Sequence, residues 1–208
     1  MKYFSEVLEI ANKLHADDYL RGGKVPYIIH PIRVSMKVYD SIKDVTCDEK
    51  HSETMIYSSL LHDVVNSGHV NLNILQSMLV CKLAETNRNV DYNEITAISV
   101  YTINIVMALS RVLRTESNYN NINLFYAKQI SSAGFPSMLI KLCDIEDNIE
   151  NMTEITKEFR HIYVEKATVM LTEFNIYIVS HTDSPLRPAV IKKYDEVTAL
   201  VNKLLEGE

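Results

Sequence analysis

The hexapeptide Leu60-Leu61-His62-Asp63-Val64-Val65 sets an imidazole beside a carboxylate in an otherwise apolar run. A run of that hydrophobicity packs inward, and burying either polar group without a partner costs on the order of several kcal/mol. A divalent cation supplies such a partner, because neutral imidazole and carboxylate together suit manganese, iron or zinc. The six residues alone also fit a satisfied core histidine followed by an aspartate at a helix C-terminus.

Two further segments carry the same chemistry. His30 lies in Pro26-Tyr27-Ile28-Ile29-His30-Pro31, and Asp144 lies in Lys141-Leu142-Cys143-Asp144-Ile145-Glu146-Asp147-Asn148. The order His, His-Asp, Asp resembles the ligand order of the HD-domain metal-dependent phosphohydrolase superfamily. The phrases PYIIHP, LLHDVV and IKLCDIEDN resemble in particular the hydrolase domain of the bifunctional (p)ppGpp synthetase/hydrolases and the small alarmone hydrolases, over roughly residues 10 to 170. The resemblance implies that His30, His62, Asp63 and Asp144 bind one divalent metal ion, Mn2+ first, with Fe2+ or Zn2+ as alternatives. It implies a (p)ppGpp 3'-pyrophosphohydrolase-like activity, and the length leaves no room for the synthetase half.

The chain departs from that family just after its His-Asp pair. The family phrase is HDxxED, whose acidic pair is thought to position or deprotonate the attacking water; here Asn66-Ser67 stands in its place. Asn66 can hydrogen-bond a water but cannot take its proton, and Ser67 is a poor base without an activating neighbour. His69 is a candidate substitute base, or else a surface loop histidine. The departure keeps two alternatives open: an HD phosphohydrolase for another nucleotide (a nucleoside monophosphate or a cyclic nucleotide), or a non-catalytic nucleotide-binding relative.

The same resemblance marks substrate contacts. From His15 the family phrase runs through an arginine and a glycine into the His30 segment, which makes Arg21 and Lys24 candidates for holding base or phosphate; the alternative is a pair of solvated loop charges. Arg111, in Leu109-Ser110-Arg111, could approach a phosphate or simply complement a helix end. Glu116-Ser117-Asn118-Tyr119 resembles a Glu-Ser-Tyr phrase of small HD proteins. Asn148 lies four residues after Asp144 and therefore on the same helical side, for a contact to substrate or to a ligand. Tyr163 resembles a tyrosine that lies against the nucleotide. Tyr119 and Tyr126 could frame a pocket, although Tyr126 fits a core stripe with Ile122 and Ile130 better. Glu146 and Asp147 are expected to be solvated.

Helices must position these groups. Apolar periodicity predicts helices over residues 3–20, 31–43, 48–65, 71–83 and 91–113, one from Pro136 that carries Asp144, a long one over 153–180, and a terminal one to about Leu205. The expected fold is all-α, a single HD-domain bundle of about eight or nine helices. Residues 1–180 form the HD-like domain, and 181–208 a C-terminal helix packing on it. Only 5 Gly and 5 Pro among 208 residues fit long helices with short joins. Pro31 suits the first turn of the helix after His30.

Composition narrows the partners. A net charge of -6 disfavours a nucleic-acid surface, whereas a metal can give an acidic protein local positive charge for a small phosphorylated nucleotide. Cys47, Cys81 and Cys143 show no ligand spacing and read as free, mostly buried thiols of a cytoplasmic protein. The first residues interrupt their apolar run with acids, unlike a signal peptide, and no stretch approaches the ~20 apolar residues of a membrane span. The sequence carries no signal for oligomeric state.

Overall fold

The computed structural model describes residues 1–20, 23–45, 48–68, 70–86, 91–111, 121–152 and 156–206. Among these the periodic segments form nine helices: α1 Phe4–Leu14, α2 Ile29–Ile42, α3 Glu49–Leu61, α4 Leu72–Thr86, α5 Tyr92–Leu109, α6 Ile122–Ser132, α7 Phe135–Glu150, α8 Lys157–Ser180 and α9 Arg187–Glu206. No strand occurs among the described residues, only an isolated bridge between Tyr19 and Pro26.

Short polar residues start several of these helices, because a side-chain oxygen can accept from otherwise unpaired first-turn N–H groups. Asp48 accepts from the Lys50 N–H, Asp91 from those of Asn93 and Glu94, and Thr156 from that of Phe159. Pro136 lies in the first turn of α7, where its missing N–H is not needed.

Three predicted helices end early, each for a local reason. Helix α1 stops at Leu14, and the chain then turns back on itself. Leu20 N–H donates to Val25 O at 2.8 Å, Tyr27 N–H donates to Asp18 O at 2.9 Å, and Gly23 takes a φ of 70° that its lack of a Cβ permits. Helix α3 leaves regular geometry after Leu61, and the His62–Ser67 stretch runs in successive turns to Gly68, at φ 79°. Helix α5 ends at Leu109, where Ser110 N–H bonds Met107 O and its Oγ donates to Val106 O.

The contacts divide the chain into two compact units. The first comprises Met1–Asp40 with Cys47–Ser110, and the second Ser41–Thr46 with Arg111–Glu208. In the first, α5 packs on α3 and α4, and α1 packs on the same two helices. Val7, Tyr57, Leu60, Leu61, Leu75, Leu79 and Val106 lie in its core. Leu60 and Leu61 thus bury the run that leads into His62-Asp63. In the second unit α7 packs on α9, α8 packs on α6 and α9, and Met138, Leu142, Phe174 and Val197 are fully buried.

Glu146 and Asp147 correct the expectation of a solvated pair: both are buried. Helix α9 covers the side of α7 that the sequence leaves polar. Its Lys193 donates to both Glu146 carboxylate oxygens at 3.1 Å, and Asn151 donates to Asp147 O at 2.7 Å. Cys143 is buried and free; Cys81 is free but exposed, and Cys47 lies outside the described residues. No helix among the described residues is long and apolar enough to cross a membrane.

Candidate metal centre

In the first unit, the short stretch after α3 and the first turn of α2 bring His62, Asp63 and His30 together. His30 is the second residue of α2, with Pro31 behind it, and its backbone N–H bonds Tyr27 O at 2.9 Å. The two imidazoles meet edge to face with centroids 5.3 Å apart, and both residues are buried. Their Nε2 atoms converge on one oxygen: Asp63 Oδ2 lies 3.2 Å from His62 Nε2 and 3.9 Å from His30 Nε2.

The tautomer of His62 follows from its other nitrogen. Nδ1 is 2.7 Å from Ser59 O, a carbonyl that can only accept, so Nδ1 carries the hydrogen. In neutral His62 the Nε2 lone pair then faces a carboxylate oxygen, an arrangement that is repulsive unless a proton or a cation stands between them. A histidine oriented by a carbonyl on one nitrogen, with the other turned to a carboxylate, is the arrangement metal sites use. The donors therefore fit a divalent cation.

Asp63 is itself held. Its Oδ2 accepts from the Tyr27 hydroxyl at 2.5 Å, and its Oδ1 accepts from Asn66 Nδ2 at 3.0 Å. Tyr27 is in turn backed by the His15 ring, 4.9 Å away, whose Nδ1 sits 2.7 Å from Asp18 Oδ2. Burial holds His15 below the ordinary histidine range, and the bond and charge of Asp18 oppose this without overcoming it.

In the second unit, Asp144 occupies the buried middle of α7. Asn148 Nδ2 donates to its Oδ1 at 2.7 Å and to its backbone oxygen at 2.9 Å, and Lys141 Nζ lies 2.7 Å from Oδ2. Burial works against the Lys141 ammonium. The Asp144 charge, aided by Tyr126 and by the Asp144 hydrogen bond, outweighs it and keeps the ammonium above the ordinary lysine range. The Tyr126 ring lies 5.4 Å from Lys141 Nζ, a contact beyond its expected place in a core stripe. Tyr163 reaches the same helix, its hydroxyl 3.5 Å from Ile145 O. Burial, and then the Asp144 charge, push its phenol above the usual tyrosine range.

The remaining candidates fall as follows. Ser67 is exposed and its hydroxyl donates to Val64 O, so it is bonded to its own turn. Lys24 is exposed in the turn before Tyr27, and Arg111 is exposed just after α5. Arg21 and His69 lie outside the described residues, as does the Glu116-Ser117-Asn118-Tyr119 phrase. Three residues escaped selection from sequence: Tyr27, Lys141 and Ser59. Each precedes a candidate ligand by three residues, a spacing that puts side chains or carbonyls on one helical face.

The described residues form an all-helical fold in which the His30 phrase opens α2, the His62-Asp63 phrase follows α3 and the Asp144 phrase lies on α7. Among solved structures it is similar to a metazoan protein described as an "ortholog of SpoT" that "hydrolyzes ppGpp and plays a role in starvation responses". The match covers 93% of this chain and 94% of that one, with a TM-score of 0.60 and 18% sequence identity, a likeness that establishes the fold. No protein-family model and no curated protein matches the sequence.

Proposed function

We propose that this chain is a metal-dependent phosphohydrolase of a phosphorylated nucleotide, with a (p)ppGpp-type alarmone, cleaved at its 3'-pyrophosphate, as first substrate. In this reading His30, His62, Asp63 and Asp144 hold one divalent ion, Mn2+ ahead of Fe2+ or Zn2+. The observation that supports it most is the convergence of both Nε2 atoms on Asp63 Oδ2, with the His62 tautomer fixed by Ser59. The cytoplasmic placement rests on the free thiols, and the expected partner is a small nucleotide rather than nucleic acid or membrane.

A bound divalent cation supplies a water of lowered pKa and positive charge for the phosphate oxygens. The protein side of the mechanism is positioning. Ser59 O fixes the His62 ring, Tyr27 and Asn66 hold Asp63, and Asn148 and Lys141 hold Asp144. Arg21, Lys24 and Arg111 are the cations offered to phosphate, and Asn148 and Tyr163 the groups offered to the nucleoside. Asn66, Ser67 and His69 are the candidates to meet the attacking water. Water attack at the outgoing phosphorus would release pyrophosphate and leave a 3'-hydroxyl.

One observation favours a second reading. The Asn66 amide is already bonded to Asp63 and the Ser67 hydroxyl to Val64 O, so neither stands as a base where the family carries two acids. That supports an HD phosphohydrolase for a different nucleotide, a monophosphate or cyclic nucleotide, or a nucleotide-binding relative without turnover. The deciding experiment incubates purified protein with Mn2+, Fe2+, Zn2+ or Mg2+ and a nucleotide panel, and separates products by ion-exchange chromatography. Pyrophosphate released from the alarmone supports the first reading. Cleavage confined to another nucleotide supports the second, and a raised melting temperature with no cleavage supports the binding module.

A further inference from the structure

The carboxylate Asp63 is gripped at both oxygens by uncharged donors from opposite directions in the chain. Tyr27, ahead of α2, donates to Oδ2 at 2.5 Å, and Asn66, three residues on, donates to Oδ1 at 3.0 Å. Tyr27 is itself anchored: its N–H bonds Asp18 O at 2.9 Å, its ring lies against His15 at 4.9 Å and against His30 at 5.6 Å, and the Tyr19–Pro26 bridge closes the turn behind it. Asp63 is only partly buried, so apolar packing alone leaves its torsions less constrained than those of the buried histidines. Two hydrogen bonds to one planar group fix both its position and its plane.

We propose that Tyr27 and Asn66 form a two-point clamp that sets the direction in which Asp63 faces a bound cation, and that Asn66 is a positioning residue rather than a failed base. The inference rests on the reading of His30, His62 and Asp63 as metal ligands. The sequence change from acid to amide then has a physical sense. An acid three residues after Asp63 repels it, whereas an amide donates to it, and the site gives up a base to hold its ligand. Outer partners of metal ligands contribute about 10–100-fold to affinity in comparable sites. The clamp divides that contribution between a phenol and an amide.

The test is Mn2+ affinity, followed by electron paramagnetic resonance of the free ion, together with the visible spectrum of the Co2+-substituted protein. Tyr27→Phe and Asn66→Leu each remove one donor at nearly constant volume, and each is expected to weaken Mn2+ binding about tenfold and to shift the Co2+ bands. Asn66→Asp also removes the donor but adds a negative charge that attracts the cation, so it is expected to weaken Mn2+ binding less than Asn66→Leu while still shifting the Co2+ bands. In an Asp63→Ala background both substitutions should change affinity less than twofold, because there is no carboxylate left to orient. Asn66 is half-exposed, so its variants carry the test if Tyr27→Phe perturbs folding. A wild type that binds none of Mn2+, Fe2+ or Zn2+ overturns the metal reading and the clamp with it. A wild type that binds Mn2+, with unchanged affinity and Co2+ spectra in Asn66→Leu and Asn66→Asp, overturns the clamp alone. So does an equal loss in the presence and absence of Asp63.

Discussion

Restoring the acidic pair, by Asn66→Glu with Ser67→Asp, sets two effects against each other whose sizes can be worked out. From sequence alone the exchange supplies a general base and leaves the metal untouched; general-base assistance is typically worth about 10²–10⁴-fold in rate. The Asn66–Asp63 bond changes the second half of that expectation. Replacing the donor by a carboxylate at about 4 Å gives a like-charge interaction of about 1 kcal/mol in water and about 4 kcal/mol at an effective dielectric constant of 20. The Asp63 side chain is 25% exposed, so the lower part of that range applies. That repulsion acts in the metal-free protein and is relieved when a divalent cation binds, so the expected loss of metal affinity is the roughly tenfold one from the missing Asn66 donor. The double variant is therefore expected to hydrolyse the alarmone faster than wild type at saturating Mn2+, while needing about ten times more Mn2+ to reach half its maximal rate. The assay is initial pyrophosphate release as a function of Mn2+ concentration for both proteins. A variant with full metal and bound alarmone that still shows no turnover would refute the account of the missing base. A rate gain with an unchanged Mn2+ requirement would refute the account of what Asn66 does.

Other consequences are simpler to check. Removal of metal with a chelator should lower the melting temperature, because an ion at about one hundred times its Kd adds about 2.7 kcal/mol to the folded state; an unchanged transition would contradict a metal that bridges helices. Glu146→Ala should destabilise by about 1–2 kcal/mol, since Lys193 loses Glu146 but keeps Glu196 at 2.6 Å, whereas Glu146→Leu combined with Lys193→Met should cost less than either single change, as urea titrations would show. Phe174, fully buried on α8, should lose about 3–5 kcal/mol as Phe174→Ala, and a loss below 1 kcal/mol in the same titration would place it outside the core. His15 is held neutral by burial, so its folded pKa lies below its unfolded value of 6.5. The stability tied to its neutral form is complete above pH 6.5 and falls as the pH drops toward the folded value. His15→Phe should flatten that part of the stability curve; an unaltered slope would assign the effect elsewhere.

The helices were legible because their apolar residues repeat at helical spacing, and the histidines that open α2 and follow α3 because ligand chemistry stood out against apolar neighbours. What stayed hidden depends on contacts between residues distant in sequence. Nothing in Glu146-Asp147 announces that α9 covers it, since Lys193 is 47 residues away. The end of α1 was partly legible, since its apolar pattern stops at Leu14 before Asp17-Asp18, but the bonds of the 18–27 turn that replace the helix were not. Tyr27 looked like an aromatic in a motif, and its hydroxyl acquires a role only when the turn places it on Asp63, 36 residues on. Asn66 was visible as a departure, but the direction of its hydrogen bond was not.

The most direct test of the central claim is metal stoichiometry. Wild-type protein loaded with Mn2+, desalted and analysed by inductively coupled plasma mass spectrometry should retain one ion per chain. His30→Ala, His62→Ala and Asp144→Ala should each lose it while remaining helical by circular dichroism. Full occupancy in a His62→Ala, Asp63→Ala double variant would show that the ligands lie elsewhere and would contradict the metal centre described here.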